Sequence, residues 1–331
     1  MNRIIGIDYA KGFAIILLLI SHCLLEGNFR VWITSFDMPI FFVVCGILHQ
    51  MRHSEGLSFS YWNSWLKRRV MQIFIPYFVF GFLYITFRGG LSFWSGDCWD
   101  IIDGCVSLIS MQGVVSMWFL PVFFFSELLF VFFVAKLSKI MQGLLVVVFV
   151  IILIFLQHNG IPDYWFSRFI LKLGIALSFV VSGNFIGMFI KKRFNIVLLI
   201  IGVLICSVLA LYNGFVGIGA LRLGNVFLFF IVGMAMSYFI IKLFDALGRS
   251  NNSKILKLLG ILGANSIVVL VTNNLLIEVF RLLEYKLLNN FFLNNGVWGG
   301  ILMAIILTVP EYYLIRLSQS KLRLLFGKIE E

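Results

Sequence analysis

The sequence predicts an all-α, polytopic membrane bundle of about ten transmembrane helices with both termini in the cytoplasm. Of the 331 residues, 61% are hydrophobic and only 12% are charged, and the mean hydropathy is +1.02. The charges sit in short patches between apolar stretches of roughly 16 to 22 residues, each long enough to cross the ~30 Å hydrocarbon layer as a helix. Helices follow rather than strands, because an open-ended segment in lipid must satisfy its own backbone hydrogen bonds.

The first span, 8–26, contains KGFAIILLLISH and so keeps Lys11 near one end and His22 toward the other. The second, 32–50, carries Asp37 in FDMPIFFVVCG. WNSWLKRRVMQIFIPYF brings Lys67, Arg68 and Arg69 to the start of the third, 70–87, which holds Pro76. In the fourth, 116–135, Trp118 and Phe119 mark an interface and Glu127 lies near mid-membrane. The remaining spans fall at 142–157, 169–190, 195–212, 221–242, 260–280 and 297–317.

The net charge of +11 reports orientation rather than a nucleic-acid surface. With the N-terminus inside, nineteen of the 26 cations, Arg3 and Arg193 among them, fall on the cytoplasmic side and seven outside, as the positive-inside rule requires. The first span lacks a small-residue cleavage site and is read as a helix of the mature protein. Residues 1–331 form a single integral membrane domain, without a repeat, a low-complexity linker or an appended soluble domain.

Between the third and fourth spans, Trp94, Asp97, Trp99, Asp100 and Asp103 suit an interfacial helix, or carboxylates and aromatics set for a sugar. DALGRSNNSKILK, before the ninth span, reads as a solvated connection. Cys23, Cys45 and Cys206 are small apolar residues within spans. Cys98 and Cys105, seven residues apart, stand roughly 10 Å from one another if helical, too far for a bridge. No spacing reads as a metal site, and none is expected.

Chemistry then rests on ionisable groups in or beside the membrane. His22 lies about 16 Å along the helix axis from Lys11. Glu26, one turn above His22, is placed to orient its ring, and Asp37 reaches the same half of the bilayer. Each has a plainer alternative: a packing histidine, a solvated carboxylate, an aromatic belt for Trp118 and Phe119, lipid anchors for Lys67 to Arg69. Guanidinium groups also hold phosphates through paired hydrogen bonds.

The order of Asp8 and Lys11, the Lys-x10-His spacing to His22, FDMPIFFVVCG, KRRVMQIFIPY, MWFLPVFFFSELLF and LGANSIVVLVTNNLL resembles the acyltransferase-3 family, in particular its fucose 4-O-acetylase-like branch. The resemblance implies a membrane O-acetyltransferase of the inner (plasma) membrane that takes acetyl-CoA from the cytoplasm and modifies a hydroxyl of a glycan or lipid-linked sugar. It makes His22 the essential histidine, with Lys11 as its cationic partner, and puts Arg68 and Arg69 on the donor; Glu26 and Asp37 join His22 as catalytic candidates by position alone. Asp8, Trp118, Phe119, Glu127, Asn265 and Ser266 are the candidate substrate-binding residues. Asp37, Gln72 and Asn273 depart from residues common in the family, and the last leaves His22 as the only histidine deep in a span. The rival readings are a lipid-linked glycan flippase or proton-coupled transporter, and a non-catalytic assembly protein.

Overall fold

The computed structural model describes residues 4–24, 26–53, 59–95, 101–192, 194–250 and 253–328. Arg3, Asp97, Cys98, Trp99, Asp100, Arg193, Asn251 and Asn252, all part of the sequence expectations above, lie outside them. Among the described residues there is no β-strand, only an isolated bridge between Gly217 and Arg222. The helices are α1 (Ile5–Cys23), α2 (Asn28–Thr34), α3 (Asp37–His53), α4 (Phe59–Ser95), α5 (Ile101–Ile109), α6 (Phe119–Phe132) and α7 (Lys139–Asn159). They continue as α8 (Trp165–Gly187), α9 (Ile196–Asn213), α10 (Val226–Ser250), α11 (Lys254–Ala264), α12 (Ser266–Leu288), α13 (Phe291–Asn294) and α14 (Gly296–Ser318). Ten helical segments among the described residues are long and apolar enough to cross a membrane, and each overlaps one of the ten predicted spans.

Some boundaries move for physical reasons. The first helix stops at Cys23, before Gly27, whose φ of 121° no helix admits. The third is much longer than 70–87: α4 has 37 residues and runs through Pro76, which lipid-embedded helices tolerate when neighbours compensate the missing N–H. The described residues of DALGRSNNSKILK are helical or cap a helix rather than forming a solvated connection. α10 continues to Ser250, and α11 begins at Lys254, where Ser253 Oγ accepts the Leu256 N–H at 3.2 Å and Leu256, Leu259 and Leu262 are buried. Of the residues read as an interfacial helix, Asp103 lies on α5, where Ile102, Val106 and Ile109 are exposed beside exposed Asp103, a pattern suited to a membrane surface.

The chain forms two compact units, Met1–Gly56 with Phe125–Ala264, and Leu57–Phe124 with Asn265–Glu331. In the first, small residues let helix backbones touch, the device that serves where lipid removes the hydrophobic drive between helices. α3 lies on α8 so closely that a Cβ at Gly46 would strike the Val180 carbonyl, and one at Gly183 the Val43 carbonyl. α1 crosses α11 in the same way, Gly12 against the Leu259 carbonyl and Gly263 against that of Asp8. Buried polar pairs add direction: Asn184 donates to Gln142 Oε1 at 3.0 Å. Lys242 donates to the carbonyls of Ile190 and Lys192. By contrast α7 and α9 expose Leu144, Val148, Ile151, Leu198 and Ile205, apolar side chains suited to lipid.

The second unit is tied by side chains that bridge its helices. Tyr77 donates to the Leu108 carbonyl at 2.8 Å, linking α4 to α5. Arg88 pairs with Glu278 of α12 at 3.3 Å. Asn274 of α12 donates to Ser116 Oγ at 2.5 Å. Thr272 donates to Glu311 Oε2 at 2.7 Å, joining α12 to α14.

The close crossing of α3 and α8 leaves no room for a branched side chain. Gly46→Val or Gly183→Val is expected to destabilise the first unit by about 1–3 kcal/mol, read as a lower melting temperature of the solubilised protein. Gly143→Ala, where nothing stands within 4 Å, should not lower it.

Candidate functional site

The first unit holds most of the sequence-predicted catalytic groups, and α1 sets their depth. Asp8 and Lys11 occupy its first turns and form an ion pair of 3.3 Å at 15% and 20% side-chain exposure. Their i,i+3 spacing puts them on one face of the helix. Eleven residues later His22 stands half-buried in the last turn, next to Ser21, which donates to the Leu18 carbonyl at 2.8 Å.

Helix α1 does not extend far enough to stack Glu26 above His22. The chain is extended at Leu24, and Glu26 is exposed in the bend beyond it, so the one-turn register assumed from the sequence is not formed. Asp37 is buried at the start of α3, where its Oδ1 accepts the Met38 N–H at 2.7 Å. A carboxylate there also meets the positive end of the helix dipole. α1 and α3 are consecutive spans joined through α2, so His22 and Asp37 belong to the same end of the unit.

Toward the opposite end of α3 lies a cluster that sequence reasoning missed. His49 Nε2 and Glu127 Oε1 of α6 are 3.1 Å apart. Cys45 stands one helical turn before His49, and one donor atom from each of the three lies within 4.8 Å of the others. All three are buried, at 4%, 7% and 1% exposure for Cys45, His49 and Glu127. His22 is therefore not the only histidine withdrawn from water; His49 is the more buried of the two. The available signal was the four-residue spacing of Cys45 and His49, but Glu127 is 78 residues from His49 in the chain, and nothing local announces it.

The second unit carries the other expected residues. Lys67 and Arg68 are exposed and Arg69 is half-buried, more than two turns into α4, which begins at Phe59 rather than beside them. Trp118 and Phe119 are buried, not spread along an interface, and meet edge to face at 6.2 Å. Asn265 separates α11 from α12, which Ser266 begins. Its Oδ1 accepts from Lys328 at 3.0 Å and from Gln319 at 3.3 Å, tying the start of α12 to the segment after α14.

The sequence did not show the surroundings of Asn273, and it gave no role to Glu311. Asn273 is fully buried, and neither of its amide atoms has a hydrogen-bond partner among the described residues. Glu311 is buried in α14 directly after Pro310. An acid inside an apolar run was the visible sign of the latter.

Lys328, beyond the spanning helices, also donates to Ser318 Oγ at 2.9 Å. Burial, and then the nearby Arg323 cation, hold its amine below the ordinary lysine value of 10.5. The folded amine therefore releases its proton before the unfolded one does. The unfolded state binds more protons in that window, and stability rises with pH on approaching 10.5. Parallel melts of the protein and of Lys328→Met across the alkaline range should show a weaker rise in the variant.

A family model described as an acyltransferase domain matches residues 4–315, which takes in both compact units and nearly all of α14. No curated protein and no solved structure matches the chain. The match spans the ten candidate membrane helices, the ion-paired start of α1 and the histidine at its end. The chain belongs to the acyltransferase-3 family and is a multi-pass membrane acyltransferase.

Proposed function

We propose that this acyltransferase moves an acetyl group from cytoplasmic acetyl-CoA to a hydroxyl of a cell-envelope or exported glycan. The observation that carries the reading is α1 itself. One membrane-crossing helix bears an ion-paired cation, Lys11, in its first turns and an imidazole, His22, in its last, about 16 Å apart along the axis. A donor confined to one side of a bilayer and an acceptor on the other need recognition and chemistry at different depths, and this helix supplies a group for each.

In this reading Lys11 attracts donor phosphate, with Asp8 holding its ammonium in place. His22 accepts the proton of the acceptor hydroxyl as its oxygen attacks the thioester carbonyl carbon. The new C–O bond forms, the C–S bond breaks, and CoA leaves as a thiolate that takes the proton from the imidazolium. An imidazole can give and take a proton near neutrality, as both halves of the step require. Arg68 and Arg69 are assigned to acetyl-CoA from the sequence resemblance alone, since guanidinium groups hold phosphate oxygens in pairs. The cation distribution favours both termini on the cytoplasmic face of the plasma membrane.

Purified protein supplied with radiolabelled acetyl-CoA and candidate envelope glycans should form labelled glycan. His22→Ala should reduce transfer by at least about 100-fold, the lower range for loss of a general base, without changing the melting temperature. Arg68→Ala and Arg69→Ala should instead raise KM for acetyl-CoA. Undiminished transfer by His22→Ala would overturn the assignment, and movement of glycan across liposomes without donor would favour a flippase.

A further inference from the structure

Cys45, His49 and Glu127 are three different donor types gathered within the first unit, and neither Lys11 nor His22 needs them for the proposed acyl transfer. Cys45 and His49 are separated by four residues on α3, one turn of helix, so they project from the same face. Glu127 arrives from α6, with its Oε1 3.1 Å from His49 Nε2. The three donor atoms all lie within 4.8 Å of one another. Tetrahedral zinc holds sulfur at about 2.3 Å and nitrogen or oxygen at about 2.0–2.2 Å, which places neighbouring donors roughly 3.3–3.8 Å apart. The nitrogen–oxygen distance is already close to that range.

Charge strengthens the case. Zn²⁺ with one thiolate, one carboxylate and a neutral imidazole has no net charge, which suits a site where each of the three residues is less than a tenth exposed. An uncompensated ion at that depth would be costly. The mixture of sulfur, nitrogen and oxygen donors also selects for a borderline divalent ion. Calcium and magnesium require oxygen donors in larger number. The ring of Phe130, 5.7 Å from the His49 ring, adds an apolar wall.

We infer that Cys45, His49 and Glu127 form a zinc-binding site within the membrane region of the first unit. The thiol loses its proton on binding. Three protein donors leave the fourth place of the tetrahedron to a small non-protein ligand, as in reactive zinc sites and unlike closed structural ones.

The full-length chain, purified without a histidine tag, tests this directly. After growth with zinc and gel filtration against a weak chelator, elemental mass spectrometry should find close to one zinc per chain. Protein loaded with Co²⁺ should show near-ultraviolet thiolate-to-cobalt absorption. Cys45→Ala and Glu127→Gln should weaken zinc binding by at least about tenfold, with Cys45→Ala also losing the cobalt absorption, while His22→Ala retains both. Zinc content is read independently of acetyl transfer, so loss of one reading leaves the other standing. Lack of zinc in the wild-type protein, or equal zinc in folded Cys45→Ala, would overturn the site. Should the variants fail to fold, the cobalt spectrum of the wild-type chain decides alone: without a thiolate band, Cys45 is not a ligand.

Discussion

Exclusion of water from the hydrocarbon layer governs most of what the chain does. It forces the backbone into closed helices and leaves no solvent to satisfy a buried polar side chain, so polar groups within the two units find protein partners. Asp8 answers Lys11, Glu127 meets His49, Gln142 accepts from Asn184, and Glu311 accepts from Thr272. Among the described residues, the fully buried amide of Asn273 departs from this pattern.

The same exclusion removes the usual reason for helices to associate. Lipid is as apolar as leucine, so contact must come from fit. In the first unit the fit is made by glycines in reciprocal pairs: Gly46 and Gly183 admit α8 to α3, and Gly12 and Gly263 admit α11 to α1. The second crossing bears on chemistry, because it fixes the turn of α1 that contains Asp8 and Lys11. Close backbone packing at one end of a rigid helix thereby holds the imidazole at the other.

The spans were legible because each carries an uninterrupted apolar window, and Lys11 and His22 because both lie on one helix at a countable separation. Polar composition concealed the rest. Ser253 to Lys257 reads as loop, yet Ser253 caps a helix whose Leu256, Leu259 and Leu262 return at three-residue intervals to a buried face. Glu26 was misplaced because its position depended on one more turn of helix than α1 has. The contact between His49 and Glu127 is set by tertiary packing of α3 and α6, which spacing along the chain does not encode. Asp37 was visible as an acid at depth, but its bond to the Met38 N–H is a detail of the helix start.

The unbroken 37 residues of α4 have a geometric outcome. At 1.5 Å per residue the rod measures about 55 Å, nearly twice the hydrocarbon thickness of ~30 Å, so it must lean strongly or project beyond the lipid. Its consecutive cations also fan around the axis by about 100° per residue, sending Lys67 and Arg69 in nearly opposite directions. A single anion docked against this rod can engage one edge of that fan, while the far edge is left to headgroups or water.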